Sequence, residues 1–117
     1  LGDVYKRQML YGPGNDLVSA TALTAAGAHM VLFSTGRGTP FGAPAPTLKI
    51  ATNSQLAGKK KTWIDFNAGV VADGERTLDE AGADLYRLVL DVASGKQTCA
   101  EKKGFREISI FKDGVVL

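Results

Sequence analysis

The chain has 117 residues, which is enough for one domain with a single core. Its 14 basic and 12 acidic residues give a net charge of +2, which offers no electrostatic case for binding nucleic acid or an anionic membrane. No apolar stretch approaches the roughly 20 residues that span a bilayer. The single cysteine, Cys99, excludes an intrachain disulfide and disfavours a Cys-based zinc site, so a cytoplasmic setting is expected.

The first eight residues, LGDVYKRQ, lack an initiating methionine and match no signal-peptide pattern. The run from Asp3 to Gln8 resembles the translated end of a transposon adapter used in sequencing libraries. We therefore expect residues 1–8 to be foreign and residues 9–117 to form one domain. The natural polypeptide is then expected to continue upstream of Met9.

The first half of this domain is predicted to contain a helix, a strand and a long loop. A turn cluster at 12–16 ends in helix-capping residues, and the Ala- and Leu-rich segment from Leu17 to Ala26 predicts a short helix closed by Gly27. The apolar run from Met30 to Phe33 predicts a strand buried on both faces, as in a parallel sheet. Glycines and prolines recur from Arg37 to Pro46, so this loop of about ten residues is long enough to suggest a functional role.

Two further strands are predicted in the middle of the chain. Residues Thr47 to Thr52 form one of them, and Asn53 to Ala57 follow as a helical turn or a tight loop. Residues Trp63 to Asn67 form the other. Their period of two places Ile64 and Phe66 on one face, and Trp63, Asp65 and Asn67 on the opposite face.

The best-defined element is a helix from Leu78 to Ala93. Thr77 and Glu80 have the spacing of a capping box. Apolar residues recur at spacings of three and four and give one stripe, formed by Leu78, Ala81, Leu85, Leu88, Val89 and Val92. The alternating segment from Glu107 to Phe111 predicts a last strand with its isoleucines facing inward. The element order indicates an α/β layered domain with a partly parallel, Rossmann-like sheet and helices packed on it.

The strongest local signal for chemistry is the loop from Ser34 to Gly38. It follows a predicted buried strand, so it lies at the carboxyl end of the sheet, where open α/β folds bind ligands. Gly36 and Gly38 allow a ligand to approach the backbone, and the guanidinium of Arg37 matches a carboxylate or phosphate. The loop is either an oxyanion cradle for an acidic substrate or a tight turn with a surface arginine.

Other polar residues on the predicted strands have two interpretations each. Asp65 and Asn67 share a strand face and could bind a divalent cation or sugar hydroxyls, or one of them could cap the following turn. Lys49 is either a partly buried base or carboxylate partner, or an edge-strand lysine facing water. Asn53 is either a hydroxyl binder or a helix cap.

Several motifs, taken together, resemble the C-terminal region of the altronate/galactarate dehydratase family. They are GPGND at 12–16, SAT at 19–21, LFSTGRGTPFGAPAPTLKIATNSQLA at 32–57, WIDFNAG at 63–69, VASG at 92–95 and FREISIFKDGVVL at 105–117. They occur in order and cover nearly all of residues 9–117. The sequences of WIDFNAG and of the C-terminal motif at 105–117 are more similar to the altronate dehydratases than to the galactarate dehydratases of the family.

This resemblance implies a hydro-lyase that converts D-altronate to 2-dehydro-3-deoxy-D-gluconate and water in hexuronate catabolism. It implies iron(II), with manganese(II) as the alternative, a small sugar-acid substrate, and upstream domains of the same polypeptide as partners. A homo-oligomer is also expected. The alternatives are a galactarate dehydratase, a sulfolactate sulfo-lyase-type relative, and a non-catalytic docking or dimerisation domain of such an enzyme.

The chemistry of dehydration suggests roles for the residues above. Lys49 and Asp65 are the catalytic candidates, and Asp65 is also the candidate metal ligand, with the main ligands expected upstream of Met9. The candidate substrate-binding residues are Thr35, Gly36, Arg37, Gly38, Asn53 and Asn67. The hypothesis requires Arg37, Asp65 and Asn67 to converge on one pocket. Residues 9–117 alone are expected to be inactive.

Overall fold

The computed structural model describes residue 10 and residues 12–114. The predicted boundary after residue 8 lies outside these described residues. The helices are α1 (Asp16–Ala25), α2 (Ser54–Lys59), α3 (Gly69–Ala72), α4 (Leu78–Ala93) and α5 (Cys99–Lys102), and the strands are β1 (Val31–Thr35), β2 (Thr47–Ala51) and β3 (Phe66–Asn67). None of the described helices has the length and apolarity needed to cross a membrane.

The three strands form a parallel sheet in the order β1-β2-β3. Val31 pairs with Thr47 and Thr35 with Ala51, while Ala51 also pairs with Asn67 on its other side. The α/β class and the parallel sheet are thus confirmed. The Rossmann-like arrangement is not confirmed, because residues 36–46 connect β1 to β2 without the crossover helix of a Rossmann half.

The core lies around the central strand, β2. Leu48 and Ala51 of β2 are fully buried. One apolar cluster joins α1, β1 and the loop that follows β1, through Ala20, Val31, Phe41 and Ala43. A second joins β2 to α2 through Ala51, Leu56 and Ile64.

Strand β1 is not buried on both faces as predicted. Leu32 is 53% exposed, and its neighbour Ser34 is also exposed. The physical reason is the position of β1 at the edge of the sheet, with α1 and residues 41–43 covering only one face. A continuous apolar run therefore did not distinguish a central strand from an edge strand here.

The two longer helices begin as their sequences predict. The side chain of Asn15 caps α1 by accepting from the backbone N–H of Leu17 at 3.1 Å, and Gly27, with φ +112°, follows its end. Thr77 and Glu80 form the predicted capping box of α4. The apolar stripe of α4, however, is buried only at Ala81 and Val92, and Leu78 is 74% exposed.

The predicted strand at residues 107–111 is wrong, because this segment forms no helix or strand. Its backbone is hydrogen-bonded elsewhere: Glu107 N–H donates to the Gly42 carbonyl at 2.7 Å, and Ser109 N–H donates to the Thr21 hydroxyl at 3.1 Å. Ile108 and Ile110 therefore do not face inward and are 67% and 91% exposed. Alternation alone does not determine a strand when turn and loop partners are available.

The predicted strand from Trp63 to Asn67 is reduced to its last two residues. A turn closes at its start, where Trp63 N–H donates to the Lys60 carbonyl at 2.9 Å. Helix α5 was not predicted. The spacing of Thr98 and Glu101 in the sequence could have indicated this helix, because it is that of a capping box. Both hydrogen bonds of the box are present in the structure.

Candidate functional site

The candidate site is the edge of the sheet at which all three strands end. Because the strands are parallel, Thr35, Ala51 and Asn67 end side by side, and the segments that follow them meet. We call this region the carboxyl edge and define it as residues 35–38, 52–54 and 67–69. It contains six of the eight residues predicted to form the site.

The loop that carries Arg37 is tied to its neighbours through its backbone. The hydroxyl of Thr35 accepts from Gly38 N–H at 2.9 Å, which closes a tight turn. Asn53 donates from its side-chain amide to the Gly36 carbonyl at 3.0 Å, and Lys60 donates to the Arg37 carbonyl at 3.2 Å. The amide of Gly38 is thereby occupied, so the predicted role of this amide in binding a substrate is not supported.

Gly38 is required by the shape of this turn. Its φ of +88° lies in the left-handed region, and a Cβ there would stand 3.0 Å from a side-chain carbon of Leu56. Arg37 itself is exposed, and the ion pairs found among residues 12–114 involve other residues. Its guanidinium is the cationic group at this edge that is available to an acidic ligand.

The two asparagines of the carboxyl edge are occupied by contacts within the fold. Asn53 caps α2, since its side-chain oxygen accepts from Leu56 N–H at 2.8 Å. Asn67 accepts from Gly69 N–H at 2.9 Å and donates to the hydroxyl of Ser54 at 3.1 Å. The cap interpretation, which the sequence left open for both, is the one that this geometry favours.

Two residues that the sequence did not single out complete this network. Ser54 donates its hydroxyl hydrogen to the carboxylate of Asp73 while accepting from Asn67. Gly69 lies against the chain at residues 53–54, so that a Cβ there would stand 2.4 Å from the backbone nitrogen of Ser54. The signal in the sequence was the glycine of the IDFNAG motif, since a close backbone approach requires one.

Lys49 lies beneath the carboxyl edge and does not reach its surface. It is only 1% exposed, and its ammonium donates to the carbonyl of Thr39. The rings of Phe41 and Phe105 lie 5.9 and 6.0 Å from the nitrogen. Burial lowers the pKa of Lys49, while the charge of Asp65 opposes this. The edge-strand interpretation is wrong, since β2 is central, and a base that contacts the substrate is not supported.

Asp65 is also committed to the fold. One carboxylate oxygen accepts from the backbone N–H of Lys49 at 2.9 Å, and the other accepts from the backbone N–H of Cys99 at 2.8 Å. Both oxygens of Asp65 thus already accept a backbone hydrogen bond, and this geometry does not support its catalytic or metal-binding interpretation. Burial raises the pKa of the Cys99 thiol, and the nearby charge of Asp65 adds to this.

The predicted pocket shared by Arg37, Asp65 and Asn67 is not among three cavities found in the described part of the chain. The largest of the three, of about 720 Å³, lies between α1 and the C-terminal segment and is lined by residues that include Val18 and Phe111. The other two, of about 140 and 450 Å³, lie near residues 43–47 and between α3 and α4. None of these three is lined by Arg37, Asp65 or Asn67.

The side chains of the described segments do not fit a metal site. Within residues 12–114, no group of three or more His, Cys, Asp or Glu side chains lies close enough together to hold an ion. Asp65 has both oxygens occupied by backbone N–H groups, and Asn67 uses its oxygen in the turn to Gly69.

The fold and the site define a small α/β domain that presents one arginine from a braced loop at the carboxyl edge of a parallel sheet. Residues 6–116 match the family described as D-galactarate/Altronate dehydratase, C-terminal. The chain belongs to this family.

Three relatives show the extent of the similarity. The chain is 54% identical over 109 residues to altronate dehydratase of Escherichia coli K12, which covers 93% of the chain and 22% of that enzyme. It is 46% identical over 119 residues to altronate dehydratase of Bacillus subtilis 168, covering 99% of the chain and 24% of the relative. It is 40% identical over 116 residues to galactarate dehydratase (L-threo-forming) of E. coli K12, covering 95% of the chain and 22% of that enzyme. The chain thus spans less than a quarter of the length of these relatives.

Proposed function

We propose that the chain is the C-terminal domain of a hydro-lyase that removes water from D-altronate to give 2-dehydro-3-deoxy-D-gluconate. The identity to the two altronate dehydratases, 54% and 46%, is higher than the 40% to galactarate dehydratase, and this supports altronate over galactarate. The proposal includes a cytoplasmic homo-oligomer with further domains of the same polypeptide as partners.

The part of the reaction that this domain supports is recognition of the substrate carboxylate by Arg37. Removal of a proton next to a carboxylate places enediolate charge on that group, and a fixed positive charge nearby stabilises it. A guanidinium suits this task because its planar fork matches a carboxylate. The observation that carries the proposal is an exposed arginine on a loop held by Thr35, Asn53 and Lys60.

The base and the metal are proposed to come from outside the described residues. Lys49 and Asp65 are bonded within the fold, so neither supplies a free group at the carboxyl edge. The side chains of the described residues do not form a site for the iron(II) or manganese(II) that the family implies. The proposed role of Arg37 does not depend on that metal.

Substitution of Arg37 by alanine in the longer polypeptide that contains this domain tests the proposal. Loss of the guanidinium is expected to lower kcat/KM for D-altronate by about 10²–10³-fold with little change in unfolding midpoint. The matched control is Arg87→Ala, because Arg87 is an exposed arginine of α4 whose ion pair within residues 12–114 is with Asp84, at 3.8 Å. Equal activity of the two variants contradicts the role of Arg37. If the wild-type polypeptide dehydrates galactarate and not D-altronate, the proposed substrate is wrong.

A docking function is the second candidate, and the exposure of α4 favours it. Leu78, Tyr86 and Leu90 are 74%, 64% and 48% exposed on a helix in which only Ala81 and Val92 are buried. In that case Arg37→Ala leaves turnover per folded site near normal, whereas Leu78→Asp changes the assembly of the longer polypeptide.

A further inference from the structure

A lysine ammonium lies buried directly under the loop that carries Arg37. Lys49 is in the middle of the central strand, is 1% exposed, and pairs across the sheet with Phe33. Its nitrogen donates to the carbonyl of Thr39, two residues beyond Arg37. The faces of Phe41 and Phe105 flank it at 5.9 and 6.0 Å.

Packing alone does not explain a charged residue at this position. Burial of an ammonium costs free energy unless its donors are satisfied, and an unbranched apolar side chain of similar length would fill the same space without that cost. The two oxygens of Asp65 accept from backbone N–H groups, and the bond recorded for the ammonium is to the Thr39 carbonyl. The ammonium therefore adds to packing a hydrogen bond that restrains the Thr39 carbonyl.

The Thr39 contact completes a set of three similar contacts along the same loop. The carbonyl of Gly36 accepts from Asn53, that of Arg37 accepts from Lys60, and that of Thr39 accepts from Lys49. Residues 36–46 contain no helix or strand, so the backbone hydrogen bonds of regular structure do not hold this segment. Side chains from β2 and from the two residues that flank α2 hold it instead.

We propose that Lys49 is a positioning residue, whose buried ammonium fixes the Thr39 carbonyl and so holds Arg37 in place for an acidic ligand. Lys60 holds the same loop from the outer side. It contacts the Arg37 carbonyl while its nitrogen lies 4.5 Å above the ring of Trp63. The link to a substrate rests on the proposed role of Arg37, whereas the effect on the loop does not.

The test compares Lys49→Met with Lys61→Met. Methionine is an unbranched apolar side chain only one heavy atom shorter than lysine, and it removes the charge and the donors. Lys61 is an exposed lysine in the turn that follows α2, and it serves as the matched control. Amide hydrogen exchange of residues 36–41 is measured by mass spectrometry in the 117-residue chain, with the amides of α4 as the internal reference.

The expected result is exchange of the hydrogen-bonded Gly38 amide, within residues 36–41, that is faster by about tenfold or more in Lys49→Met, with unchanged exchange in α4. Wild-type exchange at these residues, or an equal rise in both segments, overturns the proposal. Lys49→Arg keeps a cation and its donors, and we expect it to retain the protection of the loop. Loss of that protection in a folded Lys49→Arg variant counts against the proposal even where Lys49→Met fails to fold.

A kinetic measurement in the longer polypeptide separates positioning from base catalysis. Positioning predicts a higher KM for the sugar acid and an unchanged shape of the pH–rate profile in Lys49→Met. Loss of one limb of that profile, with normal loop protection, identifies Lys49 as a base and overturns the proposal. Absence of dehydratase activity in the wild type refutes the proposed function but leaves the exchange result as a test of the loop.

Discussion

At the scale of single residues, the carboxylate of Asp65 joins the central strand to helix α5. One oxygen accepts from Lys49 N–H of β2 and the other from Cys99 N–H at the start of α5. Removal of one partner of such a bond, where the other group stays buried, costs about 1–3 kcal/mol. Asp65 therefore contributes to the order of the layers beneath the carboxyl edge.

The titration of Lys49 gives a prediction for the pH dependence of stability. Burial lowers the pKa of Lys49 below its ordinary value of 10.5, so between the folded and unfolded pKa values the unfolded chain binds more protons at this site. The free energy of unfolding of the wild type should therefore rise, relative to Lys49→Met, as the pH increases through that interval. It should level off above 10.5.

Urea unfolding of both proteins at a series of alkaline pH values measures this difference. The thiol of Cys99 acts in the opposite direction, because burial raises its pKa above the ordinary 9.0, but it is present in both proteins. The difference between them therefore reports on Lys49 together with its charge interaction with Cys99. A difference that is constant with pH contradicts the prediction.

The residues of the candidate site could be located from the sequence more reliably than their roles could be assigned. Parallel strands bring the residues at their ends together, and Arg37, Asn53 and Asn67, which were among the predicted site residues, lie at one edge, whereas Asp65 does not. The roles depend on partners far along the chain. Asn53 bonds to Gly36 and Asn67 to Ser54, and no local pattern indicates such pairs.

At the scale of elements, α4 shows how a strong local pattern can form a helix with little tertiary contact. The capping box of Thr77 and Glu80 satisfies backbone N–H groups at its first turn, and Arg76 forms ion pairs with Glu80 and Asp84. Its main neighbour among the described elements is the short helix α3. The start of α4 could therefore be predicted from adjacent residues alone.

Substitution of Thr77 by alanine tests this local origin. The hydroxyl accepts from Glu80 N–H at 3.2 Å, and its removal is expected to lower the stability of the helix by about 0.5–2 kcal/mol. Hydrogen exchange of the α4 amides measures the effect, and Thr77→Ser, which keeps the hydroxyl, is the control. Equal exchange in the two variants contradicts a capping role.

Elements that depend on distant partners were predicted less well. The segment at 107–111 has the alternation of a strand, but its N–H groups bond to Gly42 and Thr21, which are far away in sequence. Strand β3 is short because a turn between Lys60 and Trp63 occupies the residues before it. Competition between sheet pairing and such contacts is decided by the tertiary structure.

At the scale of the whole molecule, the described part of the domain presents an exposed arginine at the carboxyl edge, while the two catalytic candidates lie elsewhere. Lys49 and Asp65, the two catalytic candidates, are bonded beneath the carboxyl edge. Relatives of known activity are about four times as long as the chain, which covers 22% to 24% of them. A site that also needs a base and a metal is therefore proposed to draw on further residues.

The prediction at this scale is that the 117-residue chain alone does not dehydrate D-altronate at a measurable rate, with or without iron(II). The control is the longer polypeptide that contains the same domain, assayed under the same conditions for release of 2-dehydro-3-deoxy-D-gluconate. Robust turnover by the chain alone would show that its own residues suffice.

The position of β1 has a practical consequence for handling the domain. This strand pairs with β2 on one side, and within residues 12–114 no strand covers its other side. Open strand edges template pairing with other chains, and an apolar side chain such as the 53% exposed Leu32 aggravates this. We therefore expect concentrated samples to associate edge to edge, and Leu32→Lys should reduce this association.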